Sequence, residues 1–213
     1  GFDAVLNSYA ELETAFTPTG SFKIKGKFST TSTDTQWLYS RWDSSSNDRS
    51  VIVQYFGGNG VRFYISSNGS SSINIEVSYT PIGKFSTFEA TFNANSNIIL
   101  TVDGVTVTTT HSIASVYDAD TPVYFGSNTG SSNFLQGVLA DIELIDLAAP
   151  ANSQAYRLDR ATGTTESSLV NTGTLTYNNI PEADREQFKL VGATNWINIS
   201  PAPQQLPATL QVP

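Results

Sequence analysis

The sequence predicts an all-β chain folded as an antiparallel β-sandwich or barrel, and three observations predict it. Only 14% of the 213 residues are charged, while Ser, Thr, Asn and Gly abound, a profile that suits strands and turns better than helices. Period-two alternation of apolar and polar residues recurs through the first 146 positions. Turn clusters interrupt the alternation at roughly ten-residue intervals, the rhythm of hairpins in a sandwich or barrel.

The elements follow in order. Phe22, Ile24, Gly26 and Phe28 alternate with Lys23, Lys25 and Lys27, giving one apolar and one cationic face. QWLYSRW (36–42) interleaves Trp37, Tyr39 and Arg41 with Leu38 and Trp42. Strands are then expected in SVIVQYF (50–56), VRFYIS (61–66), INIEVSY (73–79), FSTFEATF (85–92) and NIILTVD (97–103). DSSSND, GGNG, SNGSS and NANSN punctuate these runs with turn residues. In ILTVDGVTVTTT, Asp103-Gly104 between alternating runs calls for a two-residue hairpin with a primed turn, because Gly accepts positive φ. GVLADIELID (137–146) is a further strand. No stretch before residue 180 sustains helical periodicity over three turns. PEADREQF (181–188) has the marks of one short helix, with Pro181 at its first position and acids near its N-terminus.

The texture changes at Ala148. AAPANSQ reads as a connector, weaker strand candidates follow, and SPAPQQLPATLQVP reads as an extended Pro-rich tail. The division expected is a sandwich at 1–147 and a C-terminal extension at 148–213, an appendage with short strands, that helix and the tail.

Composition also excludes functions. A net charge of −8 argues against nucleic acid, whose phosphates need clustered Lys and Arg. The apolar runs are too short for membrane insertion. Cysteine is absent, which removes disulfides, thiolate catalysis and zinc sites of the Cys type. A single histidine, His111 in TTTHS, has no second imidazole for a metal cluster and reads as a loop residue. With no methionine and no visible signal peptide, the chain reads as part of something longer.

WLYSRWDSSSNDRSVIVQYFGGNGVRFYIS, then FEATFNANSNIILTVDGVTV, then PVYFGSNTGSSNFLQGVLADIELID, taken in that order, resemble a laminin-G-like, concanavalin-A-like jelly roll over residues 20–147. The resemblance implies two closely stacked antiparallel sheets, with ligands taken on a concave sheet face or at loops along one rim. It leaves function open, because this fold hosts lectins, adhesion modules, glucanases and inert spacers. YRLDRATGTTESS, followed by NTGTLTYNN and Trp196, resembles segments beside such sandwiches in phage tail and other virion proteins. That second likeness implies a virion-surface or extracellular location.

The acids of GVLADIELID are the first catalytic candidates. On a regular strand Asp141 and Glu143 share a face, and Asp146 falls on the other unless a bulge intervenes. Retaining glycosidases need two carboxyl groups about 5 Å apart. The sandwich glucanases that resemble this pattern use Glu, Asp, Glu, whereas Asp, Glu, Asp stands here. The shorter outer side chains draw both carboxyl groups back by about an ångström, a large error for positioned chemistry. The expectation is therefore a non-enzymatic protein, with Asp141 and Glu143 as the necessary residues of the remaining hydrolase reading. In the resembled family this closing strand carries acids without a catalytic role; Phe134 and Gly137 fall at its motif positions, and Leu139, Ile142 and Leu144 supply core contacts.

The family's calcium site, where present, takes acidic residues from two places. Asp118 and Asp120 match one; the other falls in ISSNGSSS, which offers Asn68 and serines but no carboxylate. These are weak candidates, so no tightly held calcium and no other cofactor is expected. For sugar binding, an aromatic face beside fixed amides and carboxylates is the useful combination. It selects Trp42 with Asp43, Asn47 and Asp48, and Asn128 with Asn133, with Tyr79 and Tyr117 contributing; Trp37 reads as core. The lysine face either meets an acidic polysaccharide or protects a strand. The function expected is a lectin-like carbohydrate-binding, adhesion module of a virion appendage such as a phage tail fibre or receptor-binding protein. Its partners would be a host-surface glycan, other virion proteins and further copies of itself in a homo-oligomer. A structural virion subunit or spacer is the alternative, and a glycoside hydrolase comes third.

Overall fold

The computed structural model describes residues 8–13, 16–80, 83–158, 165–171, 173–178, 188–191 and 195–198. The strands are β1 (Tyr9–Leu12), β2 (Phe22–Thr30), β3 (Gln36–Asp43), β4 (Asp48–Phe56), β5 (Gly60–Gly69) and β6 (Ile73–Ser78). There follow β7 (Ser86–Asn93), β8 (Asn97–Val102), β9 (Val105–Thr110), β10 (Val123–Phe125) and β11 (Gly137–Asp146). The last are β12 (Gln154–Tyr156), β13 (Thr165–Ser167), β14 (Thr174–Asn178), β15 (Phe188–Val191) and β16 (Asn195–Asn198). An eight-stranded sheet runs in the order β13-β14-β1-β10-β3-β4-β5-β6, and a six-stranded sheet in the order β12-β11-β2-β7-β8-β9. Every pairing is antiparallel. The expected all-β sandwich is the observed fold.

Alternation dictates which residues lie between the sheets. On β2, Phe22, Ile24 and Phe28 are buried while Lys23, Lys25 and Lys27 stay half-buried on the outer face. On β5, Val61, Phe63 and Ile65 turn inward and Arg62 and Tyr64 outward. Tyr39, Tyr55, Phe88, Phe92 and Phe125 complete the aromatic part of this core. Burial of each large apolar side chain is worth roughly 1.5–3 kcal/mol. Gly26 is a fitted position: a Cβ there would lie 2.5 Å from Ile142 Cδ1 and 2.8 Å from Phe88 Cε1.

The Asp103-Gly104 turn forms as its sequence requires. Val102 pairs with Val105, and both turn residues adopt positive φ, 46° and 84°. The Asp103 carboxylate accepts hydrogen bonds from Thr87 N–H at 2.7 Å and from the Tyr79 hydroxyl, tying the hairpin to β7 and to the end of β6. Burial pushes this carboxyl's pKa up, but these donors outweigh burial and leave it below the ordinary value.

Residues past 147 enter both sheets. β12 pairs with β11, and β14 pairs with β1, so Tyr156, Leu175 and Tyr177 join the same core as the preceding strands. The connector is fixed by Asp146, whose buried carboxylate accepts from Ala148 N–H at 3.0 Å and Ala149 N–H at 2.8 Å, ending β11 ahead of a short 3-10 turn at Pro150–Asn152. Of the helix expected over 181–188, residues 181–187 lie outside the described residues, and Phe188 opens β15 instead. The Pro-rich tail also lies outside the described residues.

Candidate functional site

The carboxylates of β11 are bound up in a ladder of ion pairs. A bulge between Ala140 and Glu143 inserts one residue into β11 against β2, and Asp141 takes a left-handed conformation there, with φ 51°. The bulge sets each acid opposite a lysine. Lys27 donates to Asp141 at 2.7 Å, Lys25 donates to Glu143 at 3.1 Å, and Lys23 reaches Glu89 on β7 at 2.5 Å. Asp141 and Glu143 therefore share the outer face, as expected for two positions of one strand side, while Asp146 is buried on the other. A groove of about 620 Å³ crosses this face, walled at one side by Leu169 and Val170. As a hydrolase site the arrangement is poorly suited. A retaining pair needs one carboxyl as acid and the other as free nucleophile, yet each acid here is half of a lysine ion pair. The same ladder accounts for the lysine face: its cations are matched one for one by acids on the neighbouring strands.

The loop residues singled out for calcium and sugar serve the backbone. Asp43 accepts from Ser45 N–H at 2.8 Å and from the Ser45 and Ser46 hydroxyls, which holds its carboxyl below the ordinary range and shapes the turn into β4. Asn47 takes φ 57° in that turn. Asp48 accepts from Asp120 N–H at 3.0 Å and Thr121 N–H at 2.6 Å, so it holds the loop before β10. Arg41, 5% exposed, grips the same loop from below: it pairs with Asp118 at 2.8 Å and donates to the carbonyls of Ala119 and Thr121. Asn68 Oδ1 accepts from Ser70 N–H and Ser71 N–H at 3.0 and 2.9 Å, closing its own turn. Among the described residues no three of His, Asp and Glu are grouped to hold a metal ion. Asp118 and Asn68 are thus engaged in loop geometry, Asp118 with an arginine and Asn68 with its own backbone.

The outer face of the eight-stranded sheet is different. Trp37, Trp42 and Ile52 form a cluster separate from the main core, with Tyr64 packed against it. Trp42 lies within β3 and is 7% exposed, so it is part of a sheet face rather than a loop rim; Trp37, 8% exposed, is a buried residue as expected, in this second cluster rather than the main one. Register explains the assembly. Tyr124, Ser40, Ile52 and Tyr64 pair in turn across β10, β3, β4 and β5, and Trp37, Gln54, Arg62 and Glu76 form a parallel row. The rings of Trp42 and Tyr64 meet edge to face at 6.0 Å between centroids, and Tyr9 meets Tyr124 the same way at 5.7 Å. Arg62 lies 3.3 Å from the centroid of Phe56, pairs with Glu76 and donates to the Tyr64 hydroxyl at 3.3 Å. Burial, with Glu11 beside them, raises the hydroxyl pKa values of Tyr9 and Tyr124, so both stay neutral donors. Among the described residues Ser40 Oγ, buried in this row, has no hydrogen-bond partner.

Asn128 and Asn133 sit at one end of this face. Their loop is closed by Asn128 N–H to Ser132 O at 2.9 Å, and Asn133 O accepts from Trp37 N–H at 3.1 Å. Asn133 is exposed, whereas Asn128 Oδ1 is buried and unpartnered among the described residues. The structure therefore brings Trp42, Asp43, Asn47 and Asp48 to one end of β3 and Asn128 with Asn133 to the other, with the aromatic face between. Sequence reasoning missed Tyr64, Tyr124, Tyr9 and Arg62. The signal was present: on each of their strands, alternation assigns them to the side opposite the buried residues.

His111, expected in a loop, follows β9 and stacks on Phe92, with ring centroids 5.1 Å apart. Its Nδ1 accepts from Ile113 N–H at 3.0 Å.

Comparison with known proteins agrees with this architecture. No curated protein matches the sequence. Solved structures match at the level of fold. Domains LG4-5 of the mouse laminin alpha1 chain share 21% identity and a TM-score of 0.57, over 70% of this chain and 41% of that one. A Bacteroides ovatus protein of proposed carbohydrate-binding function shares 12% identity and a TM-score of 0.62, over 83% and 56%. A heptameric SAP-like pentraxin from Limulus polyphemus shares 13% identity and a TM-score of 0.55, over 81% and 86%. The chain thus spans about two-fifths of the laminin structure and just over half of the Bacteroides one. A laminin-G-type family model matches residues 7–153, and the chain belongs to the concanavalin A-like lectin/glucanases superfamily.

Proposed function

We propose that the chain is a non-catalytic carbohydrate-binding or adhesion module whose ligand lies on the outer face of the eight-stranded sheet. One observation carries the reading: an aromatic cluster of Trp37, Trp42 and Tyr64 assembled outside the core, flanked by Tyr124 and the Arg62–Glu76 pair. Trp37 and Trp42 are nearly covered, at 8% and 7% exposed, so the surface offered to a ligand is the half-buried rings of Tyr64 and Tyr124 that border them. A pyranose ring pairs an apolar face with fixed hydroxyls, so it is matched by an aromatic wall beside charged and amide groups. Asp43, Asn47 and Asp48 at one end, and Asn128 and Asn133 at the other, would supply polar contacts to a chain laid along β3. The names of two structural neighbours, a laminin domain pair and a protein of proposed carbohydrate binding, support the same class.

The finer reading is a virion appendage that recognises a host-surface glycan. It rests on the likeness of the segment from Tyr156 onward to those beside sandwiches in virion proteins. The exposed apolar residues Leu147, Leu169 and Val170 support a companion role in protein contacts within such a particle. A glycan array probed with the intact chain tests the binding reading. Retention of defined glycans, lost in Tyr64→Ala with melting behaviour unchanged, is the expected result. Absence of binding to any glycan, or release of sugar product, would overturn it.

A further inference from the structure

The two sheets have four edges, and three are short, covered or charged. β12 and β13 are three residues each. The outer side of β12 is also occupied: Leu169 N–H donates to Ala155 O at 2.8 Å and Asn171 Nδ2 donates to Ser153 O at 2.8 Å. β6 carries Glu76. β9 has none of these protections. Its six residues, VTVTTT, contain no charge, no proline and no bulge, and all but Val107 are exposed. Unpaired edges of this kind are templates for another strand.

Register shows which backbone groups are free. The two-residue turn makes Val102 and Val105 a hydrogen-bonded pair, and His111 N–H bonds to Ser96 O at 2.9 Å in the same ladder. Odd-numbered residues of β9 therefore bond to β8, and alternation aims the N–H and C=O of Thr106, Thr108 and Thr110 away from it. Among the described residues no strand pairs with that side.

We propose that β9 pairs antiparallel with β9 of a second copy of this chain, about a two-fold axis at Thr108. A two-fold contact must be self-complementary, and this strand is. With Thr108 opposite Thr108 of the partner, Thr106 lies opposite Thr110. Each of the three threonines then donates and accepts one bond, and no like charges meet, although each chain carries −8. Val107 faces Thr109 of the other strand on the core side. The result joins two six-stranded sheets into one and leaves the aromatic face of each copy open, so that two glycan sites would act together. The pairing itself does not depend on the glycan reading.

The cysteine-free chain gives a register-specific test. Analytical ultracentrifugation of the intact chain should report a concentration-dependent dimer. Thr108→Pro removes an N–H that β8 does not use, so it should melt normally and sediment as a monomer. Under mild oxidation, Thr108→Cys should cross-link to itself. A mixture of Thr106→Cys and Thr110→Cys should cross-link, whereas each alone should not. A monomer at every concentration, a dimer that survives Thr108→Pro, or cross-linking without regard to register would overturn the proposal.

Discussion

The outer faces of the two sheets solve the same problem in different ways. Each must present polar or solvent-tolerant groups above a common apolar core. On the six-stranded sheet, three lysines of β2 meet three acids on the flanking strands, at 2.5, 3.1 and 2.7 Å. The charges of the three pairs cancel locally, and the side chains remain a quarter to a half exposed. On the eight-stranded sheet aromatic rings lie among the charged groups instead: Arg62 pairs with Glu76, Arg49 lies over the Trp42 ring, and Glu11 stands beside Tyr9 and Tyr124. The first face is built of paired, part-exposed charge; the second buries two tryptophans and leaves the half-buried rings of Tyr9, Tyr64 and Tyr124 at its surface. The difference teaches that a run of carboxylates is not by itself a site, because its partners decide what it can do.

Mutations should separate the two faces. The largest effect falls on the aromatic one: Trp37→Ala should cost about 3 kcal/mol through cavity formation, read as a lower urea midpoint. If the cost were negligible, the cluster would be loose decoration. Gly26→Ala, between the faces, should destabilise by about 1 kcal/mol, at the low end for overpacking because the ends of Ile142 and Phe88 can shift; calorimetry would show it. Tyr64→Ala should weaken glycan binding at least ten-fold, about 1.4 kcal/mol, with little change in melting. Lys25→Gln should cost under about 1 kcal/mol, since both members of its pair are more than a third exposed. High salt should shrink that difference further.

The smallest effect is one of pH. Serine donors hold the Asp43 carboxyl below its ordinary pKa of 3.8. A lowered folded-state pKa contributes stability above the unfolded value and loses it as pH falls through the folded one. Amide exchange in the turn at residues 44–47 should therefore accelerate only below about pH 3.8, and Asp43→Asn should abolish that dependence.

Much of the fold was legible because alternation and turn chemistry are local. β2 through β9 appear where period-two runs stand, and Asp103-Gly104 gives the hairpin that its residues demand. The strands past 147 were harder to read: β12 and β13 are three residues each, too short for a period to declare itself, and β14, beside β13, is held by β1 at the other end of the chain. The site was less legible still. Trp42 was singled out for its neighbours in DSSSND, yet its surroundings come from Ile52 and Tyr64 on two other strands. The pairing of Asp141 with Lys27 depends on a bulge that no local motif announces.

The most direct test of the contrast compares one variant from each face on the same glycan array: Tyr64→Ala, and the double variant Asp141→Asn with Glu143→Gln. The account predicts that the first loses binding, the second retains it, and neither the variants nor the parent chain releases sugar. Undiminished binding by Tyr64→Ala, or binding or sugar release that disappears with the two carboxylates, would contradict it.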